Sequence, residues 1–239
     1  MEFPMKLVKE GCASLNLPVQ PDASMEQRLT IYAQLLMRWN EKMNLTAITE
    51  PADIAIKHFV DSGALLRYVS LPADASIIDV GTGAGFPGLV LKIFRPDIQL
   101  TLLDSQQKRL YFLEAVCRDL ELDAVLLHAR AEDGGRNPAY REQFDLATAR
   151  AVARLPVLME YCLPFVKKGG SFAALKGPEG EREQMESSTA VSLLGGFPSR
   201  LFSYELPGGD RRSLIVTEKK THTPTKYPRN PGQIAKKSL

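Results

Sequence analysis

Cysteine is scarce in this chain of 239 residues: Cys12, Cys117 and Cys162 are the only three, odd in number and far apart. No C-x-x-C occurs, and the three histidines (His58, His128 and His222) are equally scattered. A disulfide framework and a structural zinc site are therefore not expected, and no metal is. No run of about 18 apolar residues is present, which argues against a membrane span, and no signal-peptide pattern is seen. A reducing, cytoplasmic setting fits. Charge of one sign is lacking too: 30 Lys and Arg stand against 28 Asp and Glu, a net +2. With 44% hydrophobic and 24% charged residues, the composition is that of an ordinary globular protein. The length suits one large domain or a domain with an extension.

The small net charge is unevenly spread. Residues 219–239 carry Lys219, Lys220, Lys226, Arg229, Lys236 and Lys237 and no acid. That makes the tail +6 and leaves the remainder, +2 minus +6, at −4. A basic tail on an acidic body suits an anionic partner; a merely solvated tail is the plain alternative.

The chain is organised around Ser76-Ile-Ile-Asp-Val-Gly-Thr-Gly-Ala-Gly-Phe-Pro-Gly88. Ile77, Ile78 and Val80 read as a buried strand of a parallel sheet. Gly81, Gly83 and Gly85 follow at alternate positions, and Pro87 opens a helix through Leu89-Val-Leu-Lys-Ile93. Strand, glycine loop and helix start together form a cofactor cradle at the carboxyl end of a strand. A dinucleotide fingerprint, G-x-G-x-x-G, would need its third glycine at position 86, which is Phe86. The pattern present is instead Asp79-x-Gly81-x-Gly83-x-Gly85. It resembles the first motif of class I S-adenosylmethionine-dependent methyltransferases. Asp104 closes the next apolar run, 23 residues after Gly81, where a carboxylate can accept from both ribose hydroxyls.

Before this stretch the chain reads as helical. One short helix is expected near Lys6–Leu15. A second starts with a capping box at Ser24-x-x-Gln27 and buries a stripe of Leu29, Tyr32, Leu36, Trp39 and Met43. A third runs from about Pro51 to Tyr68, with His58, Asp61 and Ser62 on one face, either a surface pair or a polar set aimed at the cofactor mouth. From Ser76 onward, strands (76–80, 99–103, 124–128, 144–149, 170–176, 200–206, 212–218) alternate with helices (87–95, 106–121, 154–166, 180–195). Alternation implies a mostly parallel α/β sheet of seven strands with helices on both faces. The last two strands, joined by Pro207-Gly-Gly-Asp-Arg211, form an antiparallel hairpin. Three parts are expected: a helical extension over 1–70, a catalytic domain over 71–218 and a basic tail over 219–239.

Functional groups belong at the strands' carboxyl ends. Arg130-Ala-Glu132 follows the third strand and can read an adenine edge; Arg150 follows the fourth, Lys176 the fifth, and Arg212 starts the last. Those three cations would surround one mouth and suit phosphate. The [DN]-P-P-[FYW] motif for exocyclic amines is missing, as is a Pro-Cys nucleophile for pyrimidine carbon 5. Guanine nitrogen-7 needs neither, since its in-plane lone pair attacks directly and no proton must leave. Catalysis then rests on positioning and electrostatic fit.

Taken jointly, Asn44-Leu-Thr-Ala-Ile48, His58-x-x-Asp61-Ser62, the glycine loop, Leu103-Asp-Ser105, Arg130-Ala-Glu132, Ala149-Arg-Ala-Val-Ala153, Lys176-Gly177, Arg212 and Tyr227-Pro-Arg229 resemble the glucose-inhibited division protein B family over about residues 30–239. That resemblance implies a bacterial methyltransferase with S-adenosylmethionine as donor. Its substrate would be 16S ribosomal RNA or the small subunit, methylated at guanine nitrogen-7 in the 530 loop. It implies that Gly81, Phe86, Ala131, Glu132 and Arg150 contact the donor, joined by Gly83, Gly85 and Asp104 from the reading of the loop. It places Asn44, His58, Lys176 and Arg212 on the RNA side, beside Arg150. A monomer is expected. The alternatives are a methyltransferase of the same fold acting on a small molecule or protein, a nicotinamide-dependent oxidoreductase, and a non-catalytic RNA-binding protein.

Overall fold

The computed structural model of the chain describes residues 3–239. Seven strands form one sheet in the order β3-β2-β1-β4-β5-β7-β6. They are β1 (Ser76–Val80), β2 (Gln99–Asp104), β3 (Ala124–His128), β4 (Phe144–Arg150), β5 (Val166–Lys176), β6 (Arg200–Glu205) and β7 (Arg211–Glu218). The first five pair in parallel, while β7 runs antiparallel to both β5 and β6. The expected hairpin is therefore present, with β7 inserted between β5 and β6. Strand order reverses between β1 and β4, and a cleft opens there beyond the strands' carboxyl ends.

The helices follow the apolar periodicity. They are α1 (Met5–Ser14), α2 (Ala23–Met43), α3 (Pro51–Asp53), α4 (Asp61–Gly63), α5 (Leu65–Tyr68), α6 (Gly88–Phe94), α7 (Gln107–Leu120), α8 (Ala131–Gly134), α9 (Leu155–Cys162), α10 (Gly180–Glu186), α11 (Ser188–Leu193) and α12 (Pro231–Lys236). The capping box at Ser24 does not form. Asp22 is the N-cap of α2, its carboxylate accepting from Met25 N at 2.9 Å. The helix expected over 51–68 is broken by a π-helical segment, Ile54–Val60, between α3 and α4. There the N–H of Asp61 reaches the carbonyl of Ile56, five residues back. The helix expected over 154–166 stops at Cys162 and gives way to a 3₁₀ turn at Leu163–Phe165. The one expected over 180–195 divides at Ser187 into α10 and α11.

Two apolar clusters fill the two faces of the sheet. The larger joins the N-terminal helices to α6, α7 and the sheet: Tyr32, Leu36, Phe59, Leu65, Leu89, Phe112 and Leu146 all belong to it. Residues 3–70 thus share a core with the sheet. The smaller cluster lies under α9, α11 and Tyr227.

The tail packs on the domain, and two of its six cations are spent inside. Lys219 is buried, donating to Leu163 O (2.6 Å) and Thr223 Oγ1 (2.6 Å) beside Glu142 (3.3 Å). Arg229 forms a fork on Glu160, Nε to Oε1 at 2.9 Å and Nη2 to Oε2 at 2.7 Å, and Glu160 has no exposed surface. No helix of the described residues is long and apolar enough to cross a membrane.

Candidate active site

A cavity of about 330 Å³ opens where β1, β2 and β4 end. Gly81, Asp104, Arg130, Ala131, Glu132, Ala151 and Val152 are among the residues lining it. The glycine loop is anchored by backbone: Gly81 N and Thr82 N donate to Leu103 O at 2.8 and 3.0 Å. Asp104, 1% exposed, accepts from Gly83 N (3.0 Å), Gln106 N (2.8 Å) and Arg109 Nη1 (3.3 Å). A carboxylate offers about four acceptor positions, so one remains for a ribose hydroxyl unless Arg109 swings away. Glu132 is buried and faces the same cavity from the short helix α8.

The loop glycines differ in purpose. A Cβ on Gly83, at φ +59°, would project into open space, with only the carbonyl of Gly81 near, at 3.9 Å. A Cβ on Gly85, at φ +97°, would meet Leu89 Cδ1 and Tyr32 Oη at 2.6 Å each. Neither lines the cavity: Gly83 has room on the outer side of the loop, whereas Gly85 lets the loop pack on the helices behind it. Asp79 belongs to the same support. Its Oδ2 accepts from Thr82 Oγ1 (2.8 Å) and Gly88 N (2.9 Å), and its Oδ1 is buried without a partner. Burial pushes its pKa up to about 6.

Phe86 is not in the cavity wall. Its ring is 4% exposed and sits behind the loop, stacked on His58 (centroids 4.2 Å apart) and on Tyr32 (5.2 Å). The Arg150 guanidinium lies 4.9 Å from its centroid. Arg150 likewise lines a second cavity rather than the first.

This second cavity, about 480 Å³, is the charged mouth. Lys57, His58, Asp61, Arg150, Lys176, Glu183 and Arg212 meet there, drawn from the π-helical segment, α4, β4, β5, α10 and β7. Arg150, Lys176 and Arg212 do face one opening. Ala151, with φ +56°, lines both cavities and separates them.

Arg150 is fixed on several sides. Its Nη1 donates to Lys57 O (2.9 Å) and Asp61 Oδ2 (3.3 Å), and its Nη2 lies 2.8 Å from His58 Nδ1. A guanidinium can only donate, so His58 Nδ1 accepts and the ring proton sits on Nε2, 3.0 Å from Thr46 Oγ1. Burial, reinforced by the Arg150 charge, drives the His58 pKa down to about 2. His58 is a neutral strut, not a titrating base. Lys176 Nζ is also held, by Ala153 O (2.7 Å) and Glu183 Oε2 (2.7 Å).

Two expected members stand apart. Ser62 is fully buried, with no partner for its hydroxyl among the described residues, so only His58 and Asp61 of that face reach the mouth. Asn44 ends α2 in the left-handed region (φ 48°) and lines an adjoining hollow with Asn40 and Thr46. Asn40 is the residue that ties the loop there, its amide exchanging hydrogen bonds with Thr46 O (3.0 Å) and Thr46 N (2.9 Å). Lys57 and Glu183 are the charged mouth residues that the motifs do not cover, whereas Asp61 and Thr46 fell inside quoted motifs without a role assigned to them. Their roles depend on contacts between elements, Asp61 on Arg150 and Thr46 on the His58 tautomer, which a motif does not encode.

Residues 25–214 match the family model described as rRNA small subunit methyltransferase G. The chain belongs to that family. A relative from Alkaliphilus metalliredigens named ribosomal RNA small subunit methyltransferase G is 48% identical over 98% of each chain. One of the same name from Desulfitobacterium hafniense is 49% identical over 94% of this chain and 93% of its own. Among solved structures, a SAM-dependent O-methyltransferase from Thermotoga maritima superposes with TM-score 0.54 at 16% identity, covering 78% of this chain and 72% of the other. TrmN from Thermus thermophilus gives 0.50 at 20% identity, over 67% and 48%. These likenesses establish the fold as that of the class I S-adenosylmethionine-dependent methyltransferases. The 330 Å³ cavity fits the methyl donor of this family: Gly81 of the glycine loop, an acceptor at Asp104 and the buried Glu132 face one space.

Proposed function

We propose that this member of the rRNA small subunit methyltransferase G family transfers a methyl group from S-adenosylmethionine to nitrogen-7 of a guanosine in the 530 loop of 16S ribosomal RNA. The observation that carries the reading is the meeting of the donor cavity and the charged mouth at Ala151. Bound S-adenosylmethionine supplies a methyl group made electrophilic by its sulfonium. Gly81, Asp104, Ala131 and Glu132 hold the donor, with Gly83 and Gly85 shaping the loop around it. The target base enters the mouth from an unstacked loop, as sequence-specific RNA recognition favours. Arg150, Lys176 and Arg212 orient the strand, and His58 and Phe86 buttress Arg150 from below.

Nitrogen-7 presents a lone pair in the ring plane, so the residues need not remove a proton. Their work is to bring two partners into line and exclude alternatives. The same chemistry calls for no metal. The N-terminal part supplies one wall of the mouth through residues 46–61, residues 71–218 carry the donor site, and residues 219–239 pack on the domain. The protein acts in the cytoplasm as a monomer on the small ribosomal subunit or its RNA.

The test uses labelled S-adenosylmethionine and small subunits lacking RNA modification. After reaction, the RNA is cleaved chemically at 7-methylguanosine. One new cut in the 530 loop is expected. Label absent from RNA, with donor still bound, would point to a small-molecule or protein substrate instead.

A further inference from the structure

Four cations line the mouth: Lys57, Arg150, Lys176 and Arg212. Two carboxylates, Asp61 and Glu183, line it with them. With His58 neutral, the mouth carries four minus two, a net +2. Glu183 serves locally, pairing Lys176 and accepting from Leu155 N. Asp61 is different. It is 3% exposed, on the short helix α4, yet reaches three other elements. Its Oδ2 accepts from Arg150 at the end of β4 (3.3 Å). Its Oδ1 accepts from the Tyr204 hydroxyl of β6 (2.8 Å) and lies 3.7 Å from Arg212 Nε of β7.

The two arginines are held unequally. Arg150 has further partners in Lys57 O and His58 and a ring beneath it. Among the described residues Arg212 has only long ion pairs, to Asp61 at 3.7 Å and Asp210 at 3.6 Å, and one bond to its neighbour's carbonyl. Arg150 is thus a fixed wall, and Arg212 is a cation that can leave for phosphate.

We propose that Asp61 is a positioning residue for methyl transfer, setting Arg150 and Arg212 and lowering the positive potential at the base. The inference rests on the function proposed above. In the transfer, the nitrogen-7 lone pair forms the bond to the methyl carbon. The carbon–sulfur pair leaves with sulfur, and the positive charge passes from the sulfonium to the base. A mouth built for phosphate alone would repel a base that is becoming cationic. A carboxylate there opposes that repulsion, at the cost of weaker phosphate attraction.

Binding and catalysis should therefore part company when Asp61 is neutralised. Asp61→Asn raises the mouth from +2 to +3, frees Arg212 and leaves Arg150 to Lys57 O and His58 without its carboxylate partner. Small subunits lacking the modification should bind as tightly as to wild type or tighter, with a salt dependence steeper by about 0.7–1.4 in log–log slope for one or two added phosphates. Turnover should fall by about a hundredfold, the cost of misplaced reacting partners, with KM unchanged or lower. Donor affinity, measured by calorimetry, should not change, because Asp61 does not line the donor cavity. A purely structural Asp61 would instead lower melting temperature, RNA affinity and donor affinity together, which would overturn the proposal. So would unchanged turnover. If Asp61→Asn does not fold, Tyr204→Phe removes one donor from Asp61 and keeps its charge. It should lower turnover by about tenfold with the salt slope unchanged, and a wild-type rate would refute the role. Wild-type protein that labels no RNA at all would refute the proposed function first, and a labelled wild type with an equally active Asp61→Asn refutes this inference alone.

Discussion

Mild acid should cost this fold stability at one histidine, and the amount follows from the geometry. His58 is buried, accepts from Arg150 on Nδ1, and has its pKa driven down to about 2 from an ordinary 6.5. Between those values the unfolded chain takes up a proton that the folded one refuses, so stability is complete above pH 6.5 and is lost as pH falls. Going from about pH 7.5 to about 5.5, the loss from His58 comes to about 1.4 kcal/mol. Asp79 works the other way: its folded pKa is raised to about 6, so acid stabilises the fold through that group, by about 0.8 kcal/mol over the same interval. The two oppose each other in wild type, and the acid loss must be read as a difference between proteins. His58→Gln keeps an amide oxygen for Arg150 and an N–H for Thr46 and titrates at neither pH. Urea unfolding of both proteins at both pH values should show the variant losing about 1.4 kcal/mol less than wild type, every other group cancelling. Equal losses in the two proteins would refute the reasoning. So would imidazole resonances of His58 that titrate near pH 6.

Gly83→Val fills the open side of the loop and should abolish donor binding in calorimetry, while its left-handed backbone costs stability about 1–2 kcal/mol; unaltered affinity would remove the loop from the donor site. Gly85→Ala should instead act on the fold, losing about 3 kcal/mol in urea unfolding, since its methyl meets Leu89 and Tyr32 at 2.6 Å; a loss below about 1 kcal/mol would contradict the packing. Arg229→Met strips the charge partner from fully buried Glu160 and should cost about 3–5 kcal/mol, much of it recovered when Glu160→Leu is added; a single variant as stable as wild type would overturn the ion-pair assignment. Arg150→Ala should sharply lower transfer while donor affinity persists, and an active variant would take Arg150 out of the site.

The strand run, the glycine loop and the terminal hairpin were legible because each is a local pattern: β-branched runs, alternate glycines and a connection too short for a helix. The cluster of Arg150, Lys176 and Arg212 was legible because parallel β4 and β5 deliver their carboxyl ends, and antiparallel β7 its start, to one side. The positions of Phe86 and Asn44 were not. Phe86 directly follows the loop, but its ring turns inward because His58, Tyr32 and Arg150 offer it stacking partners from three other elements. The π-helical segment left no mark in the spacing of apolar residues, since all but Lys57 between Ile54 and Val60 are buried. The tail's charge count misled in one respect: Lys219 and Arg229 meet acids 77 and 69 residues earlier, a pairing that composition does not encode.

That last pairing bears on how the protein comes to be folded. Glu160 sits in the interior beneath the sheet, and its guanidinium partner is synthesised 69 residues later. Until Arg229 has emerged and docked, the half-built molecule holds an acid without its charge partner, which must stay in water. The region around α9 therefore cannot settle before Arg229 arrives, however complete the strands already are. Contacts of such long sequence separation are slow to close. A nascent chain stopped short of Arg229 should remain loosely packed around Glu160 and open to chaperones, so that one residue of the tail completes the interior.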